Sequence, residues 1–152
     1  MKTSNGLAWS PDGRTMYQSD TASKQIFAFD YDAVTGQASH RRVFAEVETH
    51  NERHGPDGAA VDRDGFYLCA VYGEGCLLRF DPDGVLERRI EMPVQYPTMP
   101  AYGGASLSTV YVTSATWMID PCQRASRPLE GGLFSFEMAV PGLETTLFDR
   151  TR

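Results

Sequence analysis

The chain has 152 residues, 22 % of them charged and 41 % apolar, enough for one domain with a real core and outside the composition of disordered chains. Its net charge of −6 comes from scattered acidic residues and excludes nucleic acid as the main partner, because neutralising phosphates takes a basic face. Met1-Lys2-Thr3 opens without an apolar leader and no run reaches the ~18 apolar residues of a membrane span, so a cytoplasmic protein with no membrane partner is expected.

In chain order, Ser4-Asn5-Gly6-Leu7-Ala8-Trp9 is a short apolar stretch that ends in the polar turn Ser10-Pro11-Asp12-Gly13. A Tyr17-bearing segment follows and ends at Asp20, which either caps the turn at Thr21-Ala22-Ser23 or accepts a hydrogen bond in support of a nearby site. Thr21 to Tyr31 is the best helix candidate. Even so, Ile26 and Ala28 alternate with Phe27 and Phe29, which reads as a strand. His50 and His54 stand four apart, as helical metal ligands do. Gly55-Pro56 and the absence of helical periodicity instead place them in a loop.

Gly55-Pro56-Asp57-Gly58-Ala59-Ala60-Val61 then repeats the first start, with its own turn at Asp62-Arg63-Asp64-Gly65. Phe66 to Tyr72 is a buried-strand run, and Cys76-Leu77-Leu78-Arg79-Phe80-Asp81 matches Gln25-Ile26-Phe27-Ala28-Phe29-Asp30. Pro-Asp-Gly recurs at Pro11, Pro56 and Pro82. At the first and last of these, proline presets φ and glycine supplies a left-handed turn residue. A degraded third copy begins at Pro97-Thr98, contains Thr109-Val110-Tyr111-Val112-Thr113 and ends at Gly131 to Glu137. Tyr96, Tyr102, Trp117 and Met118 fall in irregular segments and read as core or rim packing, with the lining of a pocket mouth as the alternative. Arg41-Arg42 and Arg88-Arg89 read as solvated strand ends. Of the three cysteines, Cys69 and Cys76 read as small apolar fillers, and Cys122 completes no metal spacing.

Aligned on their starts, Asn5, Asp57 and Thr98 are equivalent positions, 52 and 41 residues apart. Repeats of ~40–50 residues built of short strands indicate propeller blades. The predicted fold is all-β: one partial β-propeller domain over 1–152, with blades at about 4–52, 53–95 and 96–150 and inner strands starting near Gly6, Gly58 and Met99. Closed propellers take about four to eight blades. An uncovered blade face of ~800 Å² represents up to ~20 kcal/mol of lost burial, more than a typical domain's net stability. The blades are therefore expected to belong to a longer protein or to pair with a second copy.

The segments SNGLAWSPDGRTMYQSDT, IFAFDYDAVTGQ, GPDGAAVDRDGFYLCAVYGEGCLLRFDPDG, YPTMPAYGG and STVYVTSA resemble, in order, the C-terminal half of the SMP-30/gluconolactonase/regucalcin family. The resemblance runs from Ser4 to about Phe148. It implies half of a six-bladed ring with a divalent metal in the channel, and hydrolysis of sugar lactones or related esters. It further implies a metal ligand at Asn5 and, at Asp57, a ligand that is also the catalytic base. A glutamate ligand and further sugar contacts come in that family from the N-terminal half, which this chain does not carry. Amide and carboxylate oxygens suit Ca²⁺, Mg²⁺, Mn²⁺ or Fe²⁺, with Zn²⁺ also admissible. The alternative is a non-catalytic propeller piece with a scaffold or interaction role. A homodimer closing the ring is the expected partner arrangement.

Overall fold

The computed structural model describes residues 1–144 and contains three antiparallel sheets. The first runs β1 (Ser4–Trp9), β2 (Thr15–Asp20), β3 (Gln25–Asp32) and β4 (Gln37–Glu46) in simple up-and-down order. The second repeats it with β5 (Gly55–Val61), β6 (Tyr67–Tyr72), β7 (Cys76–Phe80) and β8 (Leu86–Glu91). The third consists of β9 (Pro97–Gly103), β10 (Thr109–Ser114) and β11 (Leu133–Glu137). These are three propeller blades, with inner strands starting within three residues of the predicted positions. The third blade differs from expectation in having three strands among the described residues rather than four. Its predicted range to residue 150, and the family resemblance to Phe148, run past the described residues. A short 3-10 turn at Pro121–Ser126 is the one helical element among them.

Two of the three Pro-Asp-Gly motifs turn the chain as their chemistry dictates. Gly13 and Gly84 adopt φ +68° and +84°, and Asp12 and Asp81 accept hydrogen bonds from backbone N–H groups two residues on. The third copy, Pro56-Asp57-Gly58, lies inside β5, where the ladder register slips by one residue between Pro56 and Ala59. β1 carries the same kind of bulge between Asn5 and Ala8. A bulge re-aims side chains at the end of a strand, and here one sits beside Asn5 and the other beside Asp57.

Every residue of β6 is buried because a blade packs on each of its faces. Tyr67, Cys69 and Val71 join Tyr17, Ile26 and Ala45 in the seam between blades one and two. Leu68 and Ala70 join Leu77, Val110 and Val112 in the seam between blades two and three. Each fully buried Leu or Val contributes about 1.5–3 kcal/mol of apolar transfer. Cys69 and Cys76 are buried fillers within the first seam, as their sequence context indicated. Tyr67 spans that seam, donating its hydroxyl hydrogen to the Gly6 carbonyl at 2.6 Å.

The far end of the second blade is fixed by a buried ion pair. Arg79 donates to the Asp62 carboxylate through Nη2 at 2.6 Å and Nε at 3.2 Å, and its guanidinium lies 3.7 Å from the Phe66 ring centroid. The other Asp62 oxygen accepts the N–H groups of Asp64 and Phe66, closing the turn between β5 and β6.

Candidate active site

Glycine lets the inner strands approach until their backbones touch. A Cβ on Gly6 would lie 3.0 Å from the Asp57 carbonyl oxygen and 2.6 Å from Ser19 Oγ, and Gly6 holds φ +55°. A Cβ on Gly58 would lie 2.7 Å from the Thr98 carbonyl oxygen. The same contact thus recurs from blade to blade, Gly6 on Asp57 and Gly58 on Thr98. It supports the sequence alignment of Asn5, Asp57 and Thr98 and sets the inner strands that carry them side by side.

Asn5 is oriented by a relay. Its Nδ2 donates to Thr21 Oγ1 at 2.8 Å, and that hydroxyl donates to the Pro56 carbonyl at 2.7 Å. Ser19 Oγ donates to the Asp57 carbonyl at 3.1 Å. With Nδ2 committed to Thr21, the amide oxygen of Asn5 accepts no hydrogen bond among the described residues. Thr21 and Ser19 were not singled out in the sequence. The signal that could have found them is the T-S-N-G / S-D-T pairing at the start of β1 and the end of β2.

Asp57 is half-buried and has no cationic partner among the described residues. Burial pushes its carboxyl up to about 6, opposed only by the N–H of Gly58. A desolvated carboxylate that lacks an ion pair is a poor structural element and a good base or cation ligand. Among the described residues no three His, Cys, Asp or Glu side chains converge as a complete metal cage. The oxygens of Asn5 and Asp57 nevertheless fit a hard cation in kind, supplying two of the six to eight donors such an ion takes.

Asp20 is committed elsewhere. Its carboxylate accepts the N–H groups of Thr3 at 2.9 Å, Lys2 at 3.1 Å and Ala22 at 3.3 Å. Burial opposes its ionisation, but these bonds hold it below the usual range. Of the two roles open in the sequence, the geometry displays the turn cap.

His50 and His54 lie in the loop before β5, as predicted, and both are held by Glu74 of the β6–β7 turn. Glu74 accepts from His50 N–H at 2.8 Å, His50 Nδ1 at 2.6 Å and His54 Nδ1 at 2.8 Å; a carboxylate only accepts, so both Nδ1 atoms are donors. Glu74 is buried. Desolvation alone would raise its carboxyl, yet the two imidazoles and the His50 N–H outweigh it and bring the value down to about 2. A folded-state value below the unfolded one stabilises above the unfolded value and is lost as pH falls through the folded one. Glu74→Gln is therefore expected to cost roughly 2–3 kcal/mol at pH 6, the difference from the parent closing between about pH 4.5 and 2. Chemical unfolding of both proteins across that range checks it. A difference independent of pH would show that the charge is not what holds the loop.

The remaining aromatic residues separate into two groups. Tyr96 and Trp117 gather on Tyr72, with ring centroids 5.0 and 5.6 Å away, at the Asp57 end of the second seam. Tyr102 is half-buried toward the Asp62 end, and Met118 is half-buried beside Trp117. A surface depression lined by Asp12, Arg14, Asp30 and Asp32 lies at the turn end of blade one, away from Asn5 and Asp57. It is open to solvent and contributes nothing to the site. Among the described residues no helix is long and apolar enough to cross a membrane.

Neighbouring inner strands thus carry an oriented Asn and a desolvated Asp, and the sequence shows to which family such a chain is related. A family profile described as the SMP-30/gluconolactonase/LRE-like region matches residues 1–116. The chain belongs to this family. The SMP-30/gluconolactonase chain is 38 % identical over 145 residues to 6-deoxy-6-sulfogluconolactonase of Pseudomonas putida, covering 95 % of itself and 49 % of that protein. It is 38 % identical over 142 residues to regucalcin of Sus scrofa, covering 92 % and 47 %. The crystal structure of a calcium-binding protein, regucalcin, from Agrobacterium tumefaciens superposes with a TM-score of 0.89 at 32 % identity, over 97 % of this chain and 50 % of that one. The chain spans about half the length of the curated relatives it matches.

Proposed function

We propose that the chain contributes the Asn5–Asp57 side of a metal-dependent lactonase site acting on sugar lactones. The observation that carries this reading is Asp57 itself, a half-buried carboxylate without a cationic partner among the described residues, on the inner strand next to the one that carries Asn5, whose amide nitrogen is engaged by Thr21. A divalent cation held by these oxygens would supply Lewis-acid polarisation of a lactone carbonyl; the Agrobacterium regucalcin is described as a calcium-binding protein. Asp57 accepts the proton of the attacking water. A value near 6 makes it a stronger base than an ordinary aspartate while leaving it ionised at neutral pH. Asn5 holds its oxygen in place through the Thr21–Pro56 relay and orients the carbonyl without changing charge. Further oxygen donors come from blades outside this chain. The three free thiols Cys69, Cys76 and Cys122 agree with a reducing, cytoplasmic setting.

The outer faces of the first and third blades carry Leu7, Trp9 and Val43 on one and Met99, Tyr111 and Leu133 on the other, all exposed. We propose that three more blades cover them, and that a second copy of this chain serves when no longer chain does, giving two Asn5 and two Asp57 around one channel. Two carboxylates facing each other repel unless a cation lies between them, so metal binding and ring closure reinforce each other. The two-oxygen donor set favours one competing reading, a non-catalytic propeller piece. Light scattering with calcium and with chelator, beside a gluconolactone hydrolysis assay, separates the two. Calcium-dependent dimers that hydrolyse the lactone are expected. A chelator-insensitive monomer without hydrolysis would leave only the scaffold reading.

A further inference from the structure

Two polar side-chain atoms at the Asp57 end of the second seam are buried and lack partners among the described residues: Tyr72 Oη and Glu130 Oε2. The repeat explains why the first is unexpected. Tyr72, at the end of β6, takes the place that Thr21 takes just past the end of β2 in the first blade, and the Thr21 hydroxyl is fully used between Asn5 and Pro56. Tyr72, 6 % exposed, pairs with Gly55 across the ladder, two residues from Asp57, and reaches toward blade three.

Glu130 arrives from the long β10–β11 connection. Its Oε1 accepts the N–H of Gln95 at 2.8 Å, next to Tyr96, whose ring centroid is 5.0 Å from that of Tyr72. Its side chain is 7 % exposed. Leaving two such groups unpaired in one place is unfavourable, and a folded chain tolerates it where a ligand supplies the missing partners. Burial, with the charges of Asp57 and Glu130 adding to it, raises Tyr72 to about 12, so the hydroxyl stays a donor at neutral pH.

Trp117 closes the arrangement. Its indole stacks on the Tyr72 ring at 23° while remaining 71 % exposed, and it lies outside any strand ladder. An aromatic face covering one ring and otherwise left in water is a roof that a ligand can displace and then stack against.

We propose that Tyr72 Oη and Glu130 Oε2 are the polar contacts of a substrate-positioning subsite beside Asp57, roofed by Trp117, that takes the hydroxyl-bearing part of a sugar lactone or its aldonic acid. Tyr72 donates to a ring or hydroxyl oxygen, Glu130 accepts from a hydroxyl group, and the indole covers the C–H face of the sugar. The subsite rests on the lactonase reading for its ligand class.

The test uses Trp117 as the reporter. The chain has two tryptophans, so Trp9→Phe leaves one. Sodium gluconate is titrated into this variant with calcium present, against sodium chloride at equal ionic strength. A saturable change in Trp117 emission is expected, with the apparent Kd weakened at least ~10-fold by Tyr72→Phe, about the 1.4 kcal/mol of one neutral hydrogen bond. Thermal unfolding of Tyr72→Phe should occur at an equal or higher temperature, because the variant removes an unpaired buried hydroxyl. No emission change, or a Kd within twofold of the parent, overturns the subsite. Gluconate binding needs no turnover. Tyr72-dependent binding without hydrolysis in any assembly would therefore support the subsite and count against the hydrolase, and hydrolysis with unchanged KM in Tyr72→Phe would do the reverse.

Discussion

Asp57→Asn is expected to lower lactone hydrolysis at least ~100-fold, the usual contribution of a positioned base, and at the same time to make the metal-free protein more stable at pH 8. The two effects share one cause. Burial raises the Asp57 carboxyl from 3.8 to about 6, so the folded state holds its proton more tightly than the unfolded chain. A group shifted in this sense favours folding below the unfolded value and loses that contribution as pH rises through the folded one. Below about pH 4 the parent and the variant should be equally stable. Between pH 4 and 6 the parent falls behind, and above that the gap is complete, on the order of 1–3 kcal/mol for a half-buried group. Calcium should narrow the gap by stabilising the ionised carboxylate in the parent only. Chemical unfolding at pH 4 and pH 8, with chelator and with calcium, reads all of this alongside the hydrolysis assay. Undiminished hydrolysis in the variant would remove Asp57 as the base, and a loss of stability at pH 8 would mean that the carboxylate has a partner holding it in the fold.

The largest effect on stability is expected at the other end of the same blade. Arg79→Ala leaves the Asp62 carboxylate with no exposed side-chain surface and no counter-charge, and should cost about 3–5 kcal/mol. Against a typical total of about 5–15 kcal/mol this unfolds a measurable fraction of the protein at 37 °C. Part of the loss is packing, since the guanidinium lies over Phe66, and part is the Glu87 contact at 3.0 Å. Asp62→Asn keeps an oxygen for the N–H groups of Asp64 and Phe66 and removes the buried charge. Combined with Arg79→Leu it should recover at least half of the loss, because neither partner is then left charged and alone. Urea unfolding of Arg79→Leu, Asp62→Asn and the double variant closes the cycle. Strictly additive losses would show that the pair acts through packing rather than charge.

What the sequence disclosed follows the range of the interactions concerned. The strands and turns are local: alternation at Ile26 to Phe29 and the Pro-Asp-Gly punctuation decide them within a few residues, and the structure agrees. The alignment of Asn5 with Asp57 was legible because the glycine after each must let a neighbouring backbone approach, which places a recognisable pair of residues at the start of the first two repeats. Asp20 stayed open between two roles, since both use a carboxylate at the end of a strand; only the position of Thr3 and Lys2 across the ladder decides what it binds. The Glu74 clasp on His50 and His54 was out of reach for another reason. It spans 24 and 20 residues and joins a blade turn to an inter-blade loop, and no periodicity relates the two. Asp62 read as an ordinary turn residue because its partner sits on β7 at the position that the matching repeat fills with Ala28.

The burial of β6 on both faces has a consequence for how the chain folds. Its even-numbered side chains complete one core and its odd-numbered ones the other, so neither seam can form fully before this strand is in place. Repeat proteins ordinarily gain stability one unit at a time, each from its nearest neighbour. Here the central strand ties both increments to a single event and draws the three blades toward one cooperative transition. Its backbone amides are then the last to exchange with solvent, and the outer strands of blades one and three form the fraying margin of the molecule.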